Sequence, residues 1–232
     1  QIAGYSITGK ILEGSSTIIY RAKQTATDKS VIVKVPKASY PTPRELATFR
    51  HEYLLLRSLD IPGVVKTFGI EKYGNGLALI LEDLRGQSLS LFLRSERPNL
   101  QTILRIAIGI VEIIKGIHAQ GVIHRDIKPH NIIVDTSQSV PQVHLIDFGA
   151  ATRVSQDAQA ANQSIFLDTS LAYTSPEQTG RMNRAVDHRT DLYSLGVTLY
   201  ETLTGTLPFE AGCALPSGVA YMLYGSSTAT GL

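Results

Sequence analysis

At Gly86 the residue pattern changes from that of strands to that of helices, and this break limits the folds open to the chain. Ahead of it, Ile7 to Leu12, Ser16 to Ala22 and Ser30 to Val35 are β-rich runs separated by Gly14 and by Thr27-Asp28-Lys29. Short runs of that kind between turn residues read as strands. Pro36, Pro41 and Pro43 end the pattern. Thr42-Pro43-Arg44-Glu45 then matches a capping box with proline in the first helical turn. Leu46, Phe49, Tyr53 and Leu56 follow at three- and four-residue steps, which predicts one buried helical face. Val64 to Glu71 and Leu77 to Glu82 are two more expected strands, joined by a turn at Gly74-Asn75-Gly76.

Beyond Gly86 the pattern is mainly helical. Asn99 is placed to cap a helix with the stripe Ile103, Ile106, Ile110, Ile113 and Ile117, and Gly121 to close it. Asn131 to Val134 and Val143 to Ile146 are short β-type runs. Residues 150–170, rich in Ala, Ser, Gln and Thr without periodicity, predict a mobile loop. Asp191 to Leu203 predicts a second buried helix, closed by Gly205. The expected fold class is α+β with two lobes. Residues 1–84 form a small antiparallel sheet lobe with one helix and the connector, residues 85–210 a larger, incomplete helical lobe, and residues 211–232 an atypical tail. A cleft between lobes is a usual ligand site.

Composition narrows the function classes. Apolar residues make up 43% of the 232 and charged residues 18%, enough for a core and too ordered a mixture for wholesale disorder. The net charge of +2 supplies no electrostatic argument for nucleic acid or an anionic membrane. Cys213 is the single cysteine, which excludes an internal disulfide and a cysteine metal site and fits a reducing, cytoplasmic setting. Gln1-Ile2-Ala3-Gly4 does not resemble a signal peptide. Ile103 to Ile117, the longest apolar segment, carries Arg105, Glu112 and Lys115, so a buried helix is expected and membrane insertion is not.

Six polar residues carry the chemistry. Lys34 lies inside the apolar run Val31 to Val35, where a buried charge needs a partner. Glu52, on the stripe of the following helix, could supply it; the alternative is that Lys34 reaches solvent along its apolar stem. Asp126 is followed by Lys128, by Asn131 and, 21 residues on, by Asp147 ahead of Phe148-Gly149. Two carboxylates and an amide oxygen suit Mg²⁺ shared with phosphates, a carboxylate free of metal can take a hydroxyl proton, and a lysine can steady a phosphoryl group. Each residue alone could equally be a loop cap.

In order, these motifs resemble the eukaryotic-type serine/threonine protein kinase family, from about Tyr5 to Phe209, with His124-Arg125-Asp126-Ile127-Lys128-Pro129-His130-Asn131 as the strongest part. The resemblance implies a two-lobed kinase fold and ATP-dependent phosphorylation of Ser/Thr hydroxyls on a protein substrate, with ATP and Mg²⁺ as cofactors. It makes Lys34 the lysine on the α/β-phosphates, Glu52 its helix partner, Asp126 the catalytic base, and Asn131 and Asp147 the metal ligands. Lys128 points to Ser/Thr acceptors, and Ser170 would face Asp126. Leu81 would be the gatekeeper, the Glu82 carbonyl and Leu84 amide would meet the adenine edge, and Ile19 and Ile133 would cover its faces. Ser175-Pro176-Glu177 stands in the family's Ala-Pro-Glu position, and Asp191 resembles the buried aspartate that braces the catalytic loop. Ser175 to Arg184 looks like the same region of bacterial, cyanobacterial-like hybrid signalling kinases, which implies further signalling domains in the parent protein.

Three departures qualify these expectations. The phosphate-covering glycine pattern survives as Leu12-Glu13-Gly14-Ser15-Ser16-Thr17, with Gly14 alone retained, and Ile32 stands where a small residue usually lies above adenine. The tail after Phe209 does not resemble the family's continuation, which suggests a truncated product with an altered frame near Ala211. With it goes the arginine expected to pair with Glu177, whose unpaired burial would cost about 3 to 5 kcal/mol. The competing reading is a catalytically impaired, kinase-like binding or scaffold fragment. Ser155, Ser164, Thr169 and Ser170 are candidate phosphorylation sites that could pair with Arg125.

Overall fold

The computed structural model describes residues 2–154, 171–179 and 184–209. The first part is a five-stranded antiparallel sheet of β1 (Tyr5–Glu13), β2 (Thr17–Gln24), β3 (Ser30–Pro36), β4 (Thr67–Tyr73) and β5 (Gly76–Glu82), in the order β1-β2-β3-β5-β4. β3 is covered on both faces, which explains its nearly unbroken apolar sequence. Val31, Val33 and Val35 turn to one face with Ala22, Ala78 and Ile80, and a small core forms there. Ile32 and Lys34 turn to the other face, where helix α1 (Pro43–Ser58) packs.

Helix α1 starts at the expected capping box. The Thr42 side chain accepts the Glu45 N–H, and the Glu45 carboxylate accepts the Thr42 N–H at 2.7 Å. Its buried face is Phe49, Glu52, Leu55 and Leu56; Leu46 and Tyr53 of the expected stripe lie at its half-buried edge. β4 begins at Thr67 rather than Val64, because Val64 bridges to Leu145 and Val65 donates its N–H to the same residue. The β4–β5 turn is tighter than expected: Tyr73 pairs with Gly76, so Gly76 belongs to the strand.

The second part holds β6 (Gln87–Ser88), α2 (Leu89–Ser95), α3 (Leu100–Ala119), β7 (Val122–Ile123), β8 (Ile132–Asp135), β9 (Gln142–Leu145), β10 (Thr152–Arg153) and α4 (Arg189–Thr204). The strands form two small sheets, β6-β8-β9 and β7-β10. α2 is too short, at seven residues, to show a helical stripe in the sequence. Asn99 caps α3 through the Thr102 N–H, and Gly121 and Gly205 take left-handed backbone just past α3 and α4.

Each of the two long helices here buries one face, and in α3 that face follows the expected stripe. Ile106, Ile110, Ile113, Ile114 and Ile117 of α3 enter the core, whereas Leu104, Ile108 and Val111 are exposed. α4 buries Ser194, Leu195, Val197 and Thr198 and exposes Leu192, Tyr200 and Leu203. The described elements cover only one side of each helix. The expected mobile loop lies outside the described residues except for 150–154, as do Ser155, Ser164, Thr169, Ser170 and the tail 211–232.

Candidate active site

β3 and α1 bring two charges together because both point into the same buried layer. Lys34 Nζ donates to Glu52 Oε1 at 3.0 Å and to Oε2 at 2.8 Å, and the two side chains are only 9% and 1% exposed. Lys34 Nζ also donates to Asp147 Oδ1 at 2.8 Å. The solvent-reaching alternative for Lys34 is therefore excluded. Burial disfavours the lysine charge, but Asp147 and Glu52 outweigh it and raise the Lys34 pKa. Burial pushes the Glu52 carboxyl up, against the pull of Lys34. For Asp147 burial acts upward too, yet Lys34 wins and lowers it to about 2.

Gly149 leaves room for this triad. A Cβ there would lie 3.3 Å from Asp147 Oδ1 and 3.4 Å from Glu52 Oε2. Asp147 itself has φ of +63°, a conformation uncommon outside glycine that marks a locally constrained backbone.

β7 delivers the second cluster. Lys128 Nζ donates to both Asp126 carboxylate oxygens, at 2.9 and 2.8 Å. Asn131 Nδ2 donates to the Asp126 carbonyl at 2.9 Å and to Oδ2 at 2.8 Å, which leaves the amide oxygen of Asn131 as its acceptor. The loop is braced from α4: Asp191, fully buried, accepts the His124 N–H at 2.9 Å and the Arg125 N–H at 2.8 Å. That bracing holds Arg125 at φ of +67°. The role expected for Asp191 is thus visible in its contacts.

Several supporting contacts escaped the sequence reading. His118 Nε2 lies 2.7 Å from Asp191 Oδ2, and the His124 ring stacks edge-on against Phe148 at 4.6 Å between centroids. Gln178 donates to the Arg125 carbonyl at 2.9 Å. Tyr173 donates to Glu201 at 2.5 Å, and burial followed by that carboxylate raises its pKa. None of these contacts has a sequence signal, since each joins residues far apart in the chain. Glu177 corrects an expectation. It is half-buried and accepts the Thr190 hydroxyl at 2.7 Å, so it is not the buried, partnerless carboxylate that the sequence suggested.

Of the apolar residues expected around a nucleotide, Leu12, Ile19, Ile32 and Leu81 share one face of the five-stranded sheet, whereas Leu84 follows β5 and Ile133 lies on β8 in the other part. Cross-strand pairing sets Leu12 opposite Ile19, Ile19 opposite Lys34, and Ile32 opposite Leu81. Leu81 is buried, Ile19, Ile32, Glu82, Leu84 and Ile133 are half-buried, and Leu12 is exposed. At the β1–β2 turn the Gly14 N–H donates to the Thr17 carbonyl at 2.8 Å.

The family model for the protein kinase domain matches residues 5–215. The chain belongs to the protein kinase domain family. The kinase domain is 34% identical over 217 residues to serine/threonine-protein kinase pkn3 of Myxococcus xanthus, covering 91% of this chain and 39% of that protein. It is 29% identical over 220 residues to serine/threonine-protein kinase PrkC of Bacillus subtilis, covering 94% and 33%. Serine/threonine-protein kinase D2 of Homo sapiens is 30% identical over 200 residues, with coverage of 85% and 22%. The chain thus spans about a third of the length of the bacterial relatives.

Proposed function

We propose that this kinase domain binds ATP with Mg²⁺ between its lobes and transfers the γ-phosphoryl group to a serine or threonine hydroxyl of a protein substrate. The reading rests above all on Asp126, a half-buried carboxylate held in place by Lys128 and Asn131. Asp126 accepts the proton of the attacking hydroxyl while the hydroxyl oxygen bonds to the γ-phosphorus, and the bond from that phosphorus to the β–γ bridging oxygen breaks to release ADP. Lys128 presents its positive charge to the transferring group.

Lys34, fixed by Glu52, turns its ammonium to the α/β-phosphates. Asp147 and the amide oxygen of Asn131 would hold Mg²⁺. Among the described residues no three His, Cys, Asp or Glu side chains gather as a protein-only metal cage. One carboxylate and one amide oxygen fit a cation that keeps waters and shares substrate phosphates. When bound, Mg²⁺ neutralises phosphate charge. Leu12, Gly14, Ile19, Ile32, Leu81 and Ile133 would line the nucleotide pocket, with the Glu82 carbonyl and Leu84 amide on the adenine edge. Residues 1–84 would then act as the nucleotide lobe and 85–210 as the acceptor lobe.

The parent protein would carry further signalling domains, consistent with the share of its relatives that this chain spans. We place its action in the bacterial cytoplasm; no described helix is long and apolar enough to cross a membrane. The decisive assay is transfer of labelled phosphate from ATP to a generic protein substrate, wild type against Asp126→Asn. The variant should lose on the order of a thousandfold in kcat while still binding nucleotide. Equal signal from both proteins would overturn the enzymatic reading.

A further inference from the structure

The connector between the lobes carries a charged residue tied back into the small lobe. Asp83 follows directly after β5, and its side chain is only 14% exposed. Arg21 of β2 donates to it twice, from Nε to Oδ2 at 2.9 Å and from Nη2 to Oδ1 at 3.3 Å. Ser30, the first residue of β3, adds its hydroxyl to Oδ2 at 2.6 Å. Two-point guanidinium–carboxylate pairing fixes orientation as well as distance. Sheet register makes the arrangement possible: Arg21 lies opposite Ile32, and Val31 lies opposite Glu82, so Asp83 leaves the sheet beside both partners.

Three residues further on, the chain is fixed to the other lobe. Gly86 has φ of +100°, and a Cβ there would stand 2.2 Å from the Val134 carbonyl oxygen. Gln87 and Ser88 then pair with Val134 and Ile133 of β8. Only Leu84 and Arg85 lie between the two anchor points.

We propose that Asp83 is a positioning residue for the nucleotide: clamped by Arg21 and Ser30, it holds the Glu82–Leu84 backbone in its adenine-facing course and confines lobe swivelling to Leu84 and Arg85. The inference rests on the nucleotide-binding reading above. Its energetic basis is preorganisation, since a connector already fixed loses less freedom when ATP binds. The clamp touches neither phosphate nor acceptor, so it acts on nucleotide affinity and leaves the chemical step nearly alone.

The test compares wild type with Asp83→Ala, Asp83→Asn, Arg21→Ala, Ser30→Ala and the Arg21→Ala/Asp83→Ala pair. Equilibrium binding of Mg·ATP and steady-state kinetics are measured below the unfolding temperature of every variant. Asp83→Ala should raise Kd and KM for ATP about tenfold, with kcat within about twofold. Asp83→Asn, which keeps an acceptor, should recover much of the loss. The double variant should be no worse than Asp83→Ala, because the two residues act as one unit. Wild-type Kd in Asp83→Ala, additive losses in the double variant, or a fall confined to kcat would overturn the proposal. If Asp83→Ala does not fold, Ser30→Ala carries the test with an expected rise of about threefold in Kd; an unchanged Kd there overturns it. A wild type that binds Mg·ATP but transfers no phosphate refutes the catalytic reading and leaves the clamp to be judged by Kd. A wild type that binds none refutes both.

Discussion

At the scale of single residues, the triad of Lys34, Glu52 and Asp147 decides what the interior tolerates. One lysine offsets two carboxylates, one of them almost completely buried. Lys34→Met would leave Glu52 without a counter-charge in a dry layer, at a cost of about 3 to 5 kcal/mol. Glu52→Gln keeps an acceptor for Lys34, which still has Asp147, so about 1 to 2 kcal/mol is expected. Urea unfolding of both variants checks the order. The Lys34→Met deficit has a pH sign. Burial already raises the Glu52 pKa, and Asp147 adds to it; without Lys34 the backbone hydrogen bond from Phe148 is left to oppose them. A carboxyl whose folded pKa is raised lends stability that is full below its unfolded value and is lost as pH rises through the folded one. The deficit should therefore be smaller at pH 5 than at pH 8.

At the scale of elements, α4 supports the catalytic loop by a single side chain. Asp191 lies in the first turn of α4, yet its oxygens meet the backbone of His124 and Arg125. Asp191→Ala would strand two N–H groups, for about 3 kcal/mol or more of lost stability. It would also free Arg125 from its left-handed backbone and displace Asp126, so kcat should fall on the order of a hundredfold. Asp191→Asn, which keeps one acceptor, should lie between. Denaturation and steady-state kinetics on the same preparations test whether the two losses travel together. The capping box of α1 and the glycines after α3 and α4 were legible in the sequence because they are satisfied within a few residues. α2 and the two-residue strands were not, because so short an element has no period to show.

At the scale of the whole molecule, the two lobes meet through a connector whose freedom is set by packing. Gly86→Ala should destabilise by at least about 2 kcal/mol, since the new Cβ meets the Val134 carbonyl at a backbone angle that suits glycine. If the connector governs the cleft, KM for ATP should rise in the same variant; urea unfolding and initial-rate kinetics separate the two effects.

The sequence by itself determined the break at Gly86, the order of the longer strands and helices, and the identity of the polar residues that gather around Lys34 and Asp126, because alternation, capping and motif spacing are local. Tertiary structure alone decided which alternatives held. The burial of Lys34 depends on a helix that packs 18 residues away, and the partner of Glu177 is a hydroxyl 13 residues on. The exposed sides of α3 and α4 depend on what covers them, which periodicity does not state. The clamp on Asp83 joins residues 53 and 62 positions apart, and its cause is sheet register, a property of paired strands that no single stretch of chain contains.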